Sequence, residues 1–257
     1  MFGFSLVLPH AAAAADPVVD DAAPSVLRYT PEGLSEGEVN FLWWFAQGGI
    51  MDPVVRWSLR HGWGLCPRHA AGWLIVEAAF RHSYLHGPAV LYDDLMERAV
   101  AAFDLHGPWV RERVARQLHA RGPCQLCAMG MTSASRGFIR PDRLQTGRDA
   151  RPWCAFMART RAYWRPQVCG ICAHDGAAAR CRRHLCEDIT LGHIDSLAPH
   201  FELAQDVARH IHRYDGSFCC DSHGSETLQD RAALVSAAGW CGGWQVLLGL
   251  DAAEGQR

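Results

Sequence analysis

The sequence contains no lysine: all 25 basic residues are arginine. That excludes Schiff-base chemistry on a lysine amine and a phosphate loop closed by a lysine. The alanine-rich, arginine-only usage has its simplest source in a GC-rich coding sequence, so it is not read as phosphate recognition. No apolar run approaches the ~20 residues needed to span a bilayer. The formal charge is −2, without the basic excess of a general nucleic-acid or anionic-membrane binder. Also missing are the G-x-S-x-G elbow, H-E-x-x-H, the Rossmann glycine pattern and the P-loop.

At 257 residues, 49% hydrophobic and 20% charged, the chain is long and apolar enough to bury a core without staples. The start, MFGFSLVLPHAAAAADPVV, has a short apolar run and small residues. No basic residue precedes that run, and Pro9 and His10 cut it short, so it does not read as a secretory signal. Residues 1–31 read as a flexible lead-in and 32–257 as one helical metal-binding domain. Eleven cysteines cannot all pair as disulfides within the chain, and their spacing follows metal-ligand grammar, so the expected compartment is the reducing cytoplasm.

Helical signals dominate, and no period-two alternation or Asn-Gly hairpin appears. Residues 35–47 open on Ser35 with Glu38 three positions later, a capping box. Asp52-Pro53 starts the next helix with proline at its first position. Further helices are predicted over 68–85, over 90–118 with a break at His106-Gly107-Pro108, over 203–212, and over 225–240 headed by Ser225. Trp43, Trp44, Trp57, Trp73 and Trp164 stand at helical spacings and are expected in the core. The fold class is mainly α, with Cys/His knuckles in the loops and at helix starts.

Four local pairs carry the chemistry: Cys66-x-x-His69, Cys124-x-x-Cys127, Cys169-x-x-Cys172 and Cys181-x-x-His184. A two-residue gap lets two thiolates, or a thiolate and an imidazole, face one ion from a tight turn into a helix. Two such pairs make the tetrahedral set that zinc prefers. Cys169, Cys172, Cys181 and His184 form a continuous C-x2-C-x8-C-x2-H site. The other two pairs lack local partners, so they are expected to join in space as Cys66, His69, Cys124 and Cys127. A competing set is Cys124, Cys127 and Cys154 with an open fourth position, because Cys154 and Met157 repeat the knuckle spacing with Met in the place of His. The expected cofactor is one or two zinc ions.

Other candidates are weaker. Cys219-Cys220-x-x-His223 lies in a polar loop. Cys186 and Cys241 read as packed thiols. His82-x3-His86 reads as two imidazoles one helical turn apart, and His210-x-His212 is comparable; both are expected to be solvated or hydrogen-bonded. Arg182 and Arg183 in CRRH lack the basic face that a nucleic-acid finger needs.

MDPVVRWSLRHGWGLCPRHA, GPCQLC and CGIC with CRRH together resemble a family of uncharacterised bacterial proteins that repeat C-x-x-C, a DP-x-x-R helix and a Gly-Phe/Leu-Cys-x-x-His knuckle. The likeness spans about residues 33–245. It departs from the family pattern where a first C-x-x-C is missing near PEGLSEGE and where Met157 replaces histidine. It implies metal ligation and a helical fold, and no activity. The favoured expectation is a zinc-binding accessory or binding protein, with an unidentified protein or small-molecule partner and neither nucleic acid nor membrane. The rivals are a zinc-thiolate or cysteine enzyme using Cys154, or Cys219 and Cys220 with His223, and a thiol redox sensor.

Overall fold

The structure, a computed structural model, describes residues 33–254; the segment read as a lead-in lies outside them. The described residues form helices and turns with no strand. The helices are α1 (Glu36–Ala46), α2 (Pro53–Gly62), α3 (Pro67–Phe80), α4 (His86–Phe103), α5 (Val110–Leu118), α6 (Gln125–Ala128) and α7 (Pro141–Gly147). They continue with α8 (Arg151–Trp164), α9 (Gly170–Ala173), α10 (Arg182–Thr190), α11 (Ala198–Gly216), α12 (Leu228–Gly242) and α13 (Gln245–Glu254). None is long and apolar enough to cross a membrane.

Two helices form the centre. The sequence of α3 is apolar on every side, and every residue from His69 to Ala78 is buried; α12 is buried almost continuously from Asp230 to Cys241. Such helices need partners all round. α1, α7, α8 and α13 pack on α3, while α11, α8, α4 and α10 pack on α12. The capping box at Ser35 and Glu38 is present, and Asp52 caps α2 ahead of Pro53.

Several boundaries differ from the sequence reading. The helix predicted over 68–85 stops at Phe80, because His82 and Ser83 adopt left-handed backbone, φ 51° and 64°. His86 then opens a new helix, so His82 and His86 do not share a face. The helix assigned to Ser225 starts at Leu228 instead, with Thr227 as N-cap and Asp230 completing the box. Trp73 and Trp164 are fully buried, but Trp44 and Trp57 are 49% and 63% exposed. α8 falls where the sequence reading placed a degenerate knuckle.

The N-terminus of α4 has no local side-chain cap. Glu77, buried in α3, substitutes by accepting from the Gly87 N–H at 3.0 Å. A Cβ on Gly87 would lie 2.9 Å from that carboxylate, so the cap needs glycine there. Histidine ties recur: His210 bonds Asp230 at 2.6 Å and His212 bonds Asp93 at 3.0 Å.

Candidate metal centres

Among the described residues two groups of donors are close enough to share an ion. They are Cys66, His69, Cys124 and Cys127, and Cys169, Cys172, Cys181 and His184; within each group the ligand atoms all lie within 4.8 Å of one another. Both are built alike. In each C-x-x-H pair the cysteine is the N-cap of a helix and the histidine sits in its first turn: Cys66 heads α3 and Cys181 heads α10. In each C-x-x-C pair the first cysteine caps a single helical turn, Cys124 at α6 and Cys169 at α9. An N-cap position suits a thiolate because the unpaired N–H groups of the first turn point towards it.

The distances test the fit to a tetrahedral ion. In the first centre His69 Nδ1 lies 3.3, 3.4 and 3.5 Å from the sulfurs of Cys66, Cys124 and Cys127, and Cys66 Sγ is 3.8 Å from Cys127 Sγ. In the second, His184 Nδ1 lies 3.3, 3.5 and 3.3 Å from the sulfurs of Cys169, Cys172 and Cys181, and Cys172 Sγ is 3.9 Å from Cys181 Sγ. Bonds of about 2.3 Å to sulfur and about 2.0–2.1 Å to nitrogen, set tetrahedrally, separate S···S by about 3.8 Å and S···N by about 3.5 Å. The three S···N distances and the one S···S distance given for each centre match that spacing, and every other donor pair lies within 4.8 Å.

Crowding of the donors governs their titration. Cys124 is held far below the ordinary thiol range, first by its hydrogen bond with Cys66, and Cys66 is correspondingly pushed above it. Burial pushes His69 down, but hydrogen bonds to Cys124 and Glu38 outweigh it and raise it to about 9. His184 is raised to about 9 by hydrogen bonds to Cys169 and Cys172. Cys169 is lowered by hydrogen bonds with Cys172 and then Cys181, and Cys181 is raised, chiefly by its bond with Cys169. A cation that binds here displaces these protons and relieves the competition.

The surroundings of the two centres differ. His69 Nε2 donates to Glu38 Oε1 at 3.0 Å, so the imidazole is oriented from behind by a carboxylate, as ligating histidines commonly are. Glu38 is fully buried and also takes Ser35 N at 2.7 Å and Arg68 Nε and Nη2, each at 2.9 Å. The capping-box acid of α1 is therefore also the group that holds the histidine of the first centre. The sequence reading found Glu38 only as a cap; its other role depends on the packing of α1 against α3.

In the second centre His184 Nε2 is 3.9 Å from Glu187 Oε2, beyond a hydrogen bond. Burial replaces that support, since all four donors are buried, whereas Cys127 of the first centre is exposed. The turn between the two pairs is tight: Gly170 N bonds Ala179 O at 3.0 Å, and a Cβ on Gly170 would lie 2.1 Å from Ala177 O. Only glycine fits there. Arg180 ties the same turn to α10 by donating to Asp188 at 2.6 Å and to the Ala177 and Ala179 carbonyls. Arg182 faces inward, donating to Leu118 O at 2.7 Å and Cys241 O at 3.2 Å, the carboxyl ends of α5 and α12.

The other candidates lie elsewhere. Cys154 is not in either group; it is buried inside α8, three residues past the first helical position, with Met157 buried one turn on. In the two C-x-x-H pairs Cys66 and Cys181 instead stand at the N-cap of their helices, so the shared spacing at Cys154 does not give shared geometry. Cys219 and Cys220 are exposed at a short 3-10 turn, and His223 follows it. Cys186 and Cys241 are buried thiols, raised by burial to about 11 and about 12. No protein-family model, curated protein or solved structure matches this chain.

Proposed function

We propose that the protein binds two zinc ions, one in each centre of three cysteines and a histidine, as closed structural clamps within a cytoplasmic helical protein of accessory or binding type. The observation that carries this reading is the pair of donor sets spaced for a tetrahedral ion. Three thiolates and an imidazole favour zinc among the common divalent ions. Four protein donors in each centre leave no open position of the kind catalytic zinc keeps, which supports a structural role.

The clamps act at different range. The second centre closes a local turn onto α10. The first draws the C-x-x-C at 124–127 onto the start of α3, across more than fifty residues of chain, and Glu38 extends that tie to α1. Metal binding is then part of the folding free energy, with apparent values of about 10–16 kcal/mol for structural zinc in small peptides. The resemblance to Cys/His-knuckle proteins points the same way and adds no activity. Stripping the protein with a chelator and titrating zinc back tests the reading. Cooperative melting should return in step with two equivalents of zinc. A stripped protein that melts cooperatively and unchanged would refute it.

A further inference from the structure

Two histidine motifs that the metal centres do not use meet elsewhere. His82, from the α3–α4 turn, and His223, from the α11–α12 loop, both line an open cavity of about 270 Å³. It is not a third metal site, since no further donor cluster forms among the described residues. Its size is just below the ~300–1,000 Å³ of pockets that take drug-sized ligands, which fits a smaller molecule.

The cavity is lined by both aromatic and charged side chains. Tyr84, Phe218, Tyr214 and Phe156 line it and form a continuous chain of rings: Tyr84–Phe218 at 4.8 Å, Phe218–Tyr214 at 5.1 Å and Tyr214–Phe156 at 6.3 Å between centroids. Four rings from three separate segments offer a planar apolar ligand stacking and edge contacts. Arg159, Arg231 and Glu226 also line it. Arg231 donates through Nε at 3.2 Å and Nη2 at 2.5 Å to one oxygen of Glu226, so that pair is neutral. Arg159 is exposed and makes no hydrogen bond or ion pair among the described residues. Among the arginine and glutamate side chains of the cavity, that leaves one positive charge without a counter-charge. His82 and Ser83 also line it, consecutive non-glycine residues with left-handed backbone, a costly conformation often found at ligand sites.

We propose that this cavity is a binding site for a small aromatic carboxylate, its ring against Tyr84 and Phe218 and its carboxylate on Arg159. One net charge matches a monoanion better than a phosphate dianion. The site is independent of the zinc reading, because none of its residues is a donor in either centre.

Calorimetric titration of the metal-replete full chain with phenylacetate and with phenylacetamide tests it. Phenylacetate should bind once per chain with Kd of about 1 mM or tighter, and the amide about tenfold or more weaker, because a carboxylate–guanidinium contact is charge-assisted. Arg159→Ala, at an exposed position, should weaken phenylacetate about tenfold and leave the amide unchanged. Tyr84→Leu should weaken both probes. Circular dichroism checks that each variant is folded. Absence of saturable binding, equal affinity for acid and amide, or indifference to Arg159→Ala would each overturn the proposal.

Discussion

Replacing Glu38 by glutamine tests the first centre with almost no change of volume. The carboxylate is fully buried and receives four donors: Ser35 N, two from Arg68 and one from His69. Burial alone would raise its pKa, yet the hydrogen bonds from His69 and Arg68 outweigh burial and hold it well below the usual carboxylate range. A glutamine amide keeps one acceptor oxygen and turns the other position into a donor. It cannot serve His69, Arg68 and Ser35 together, and the ion pair between positions 38 and 68 is lost. Losing such support behind a ligating histidine weakens metal binding about 10–100-fold, about 1.4–2.7 kcal/mol. With charge-assisted bonds from His69 and Arg68 to a buried carboxylate lost, the fold itself should lose about 2–4 kcal/mol. Competition against a chromophoric zinc chelator resolves the two ions. In Glu38→Gln one ion should weaken by that factor and the other should hold. If both affinities stay unchanged, or both fall together, the assignment of Glu38 to the first centre is wrong.

Three further outcomes are expected. His69→Ala and Cys124→Ser should each release the same ion, and their stability losses should be strongly non-additive because the second change acts on a centre already broken; additive losses in a double-mutant cycle would contradict the shared centre. Cys154, buried in α8 outside both groups, should alkylate slowly with iodoacetamide, and Cys154→Ala should keep both ions; rapid selective labelling or loss of one zinc would contradict this. Glu77 is raised to about 8 by burial, only partly offset by Gly87 N–H and Arg81. Because its folded pKa lies above its unfolded value of about 4.5, the unfolded chain ionises first. Stability should therefore fall as pH rises from about 4.5 to about 8 and level off above, by about 3–5 kcal/mol in all. Glu77→Gln should remove that part of the slope in denaturant titrations from pH 5 to pH 8; an identical slope in the variant would show that Glu77 does not cause it.

What was legible in the sequence was local. Ser35 with Glu38, Asp52 with Pro53, and the break at His106-Gly107-Pro108 are short-range signals, and the helices follow them. The turn at His82 and Ser83 was hidden because neither residue normally adopts left-handed backbone. Thr227 with Asp230 forms a full box, which Ser225, lacking an acid three residues on, does not match. In α8 the buried Trp153, Phe156, Met157, Thr160 and Trp164 follow a helical period after Pro152, but the knuckle spacing at Cys154 and Met157 masks it. The grouping of Cys66 and His69 with Cys124 and Cys127 follows from two half-sites that lack other partners. Glu38 behind His69 does not follow from sequence, nor does the cavity, whose walls come from elements far apart in the chain.

Two separate centres, each of three sulfurs and one nitrogen, should hold a zinc ion apiece. Metal analysis of the purified, untagged protein combined with zinc X-ray absorption, repeated on Cys172→Ser, checks this. Two zinc ions per chain are expected, with an average shell of three sulfurs at about 2.3 Å and one nitrogen at about 2.0–2.1 Å. In Cys172→Ser one zinc ion should remain, in the same shell. Fewer than two ions in the parent, oxygen ligands in the shell, or two ions retained in Cys172→Ser would contradict it.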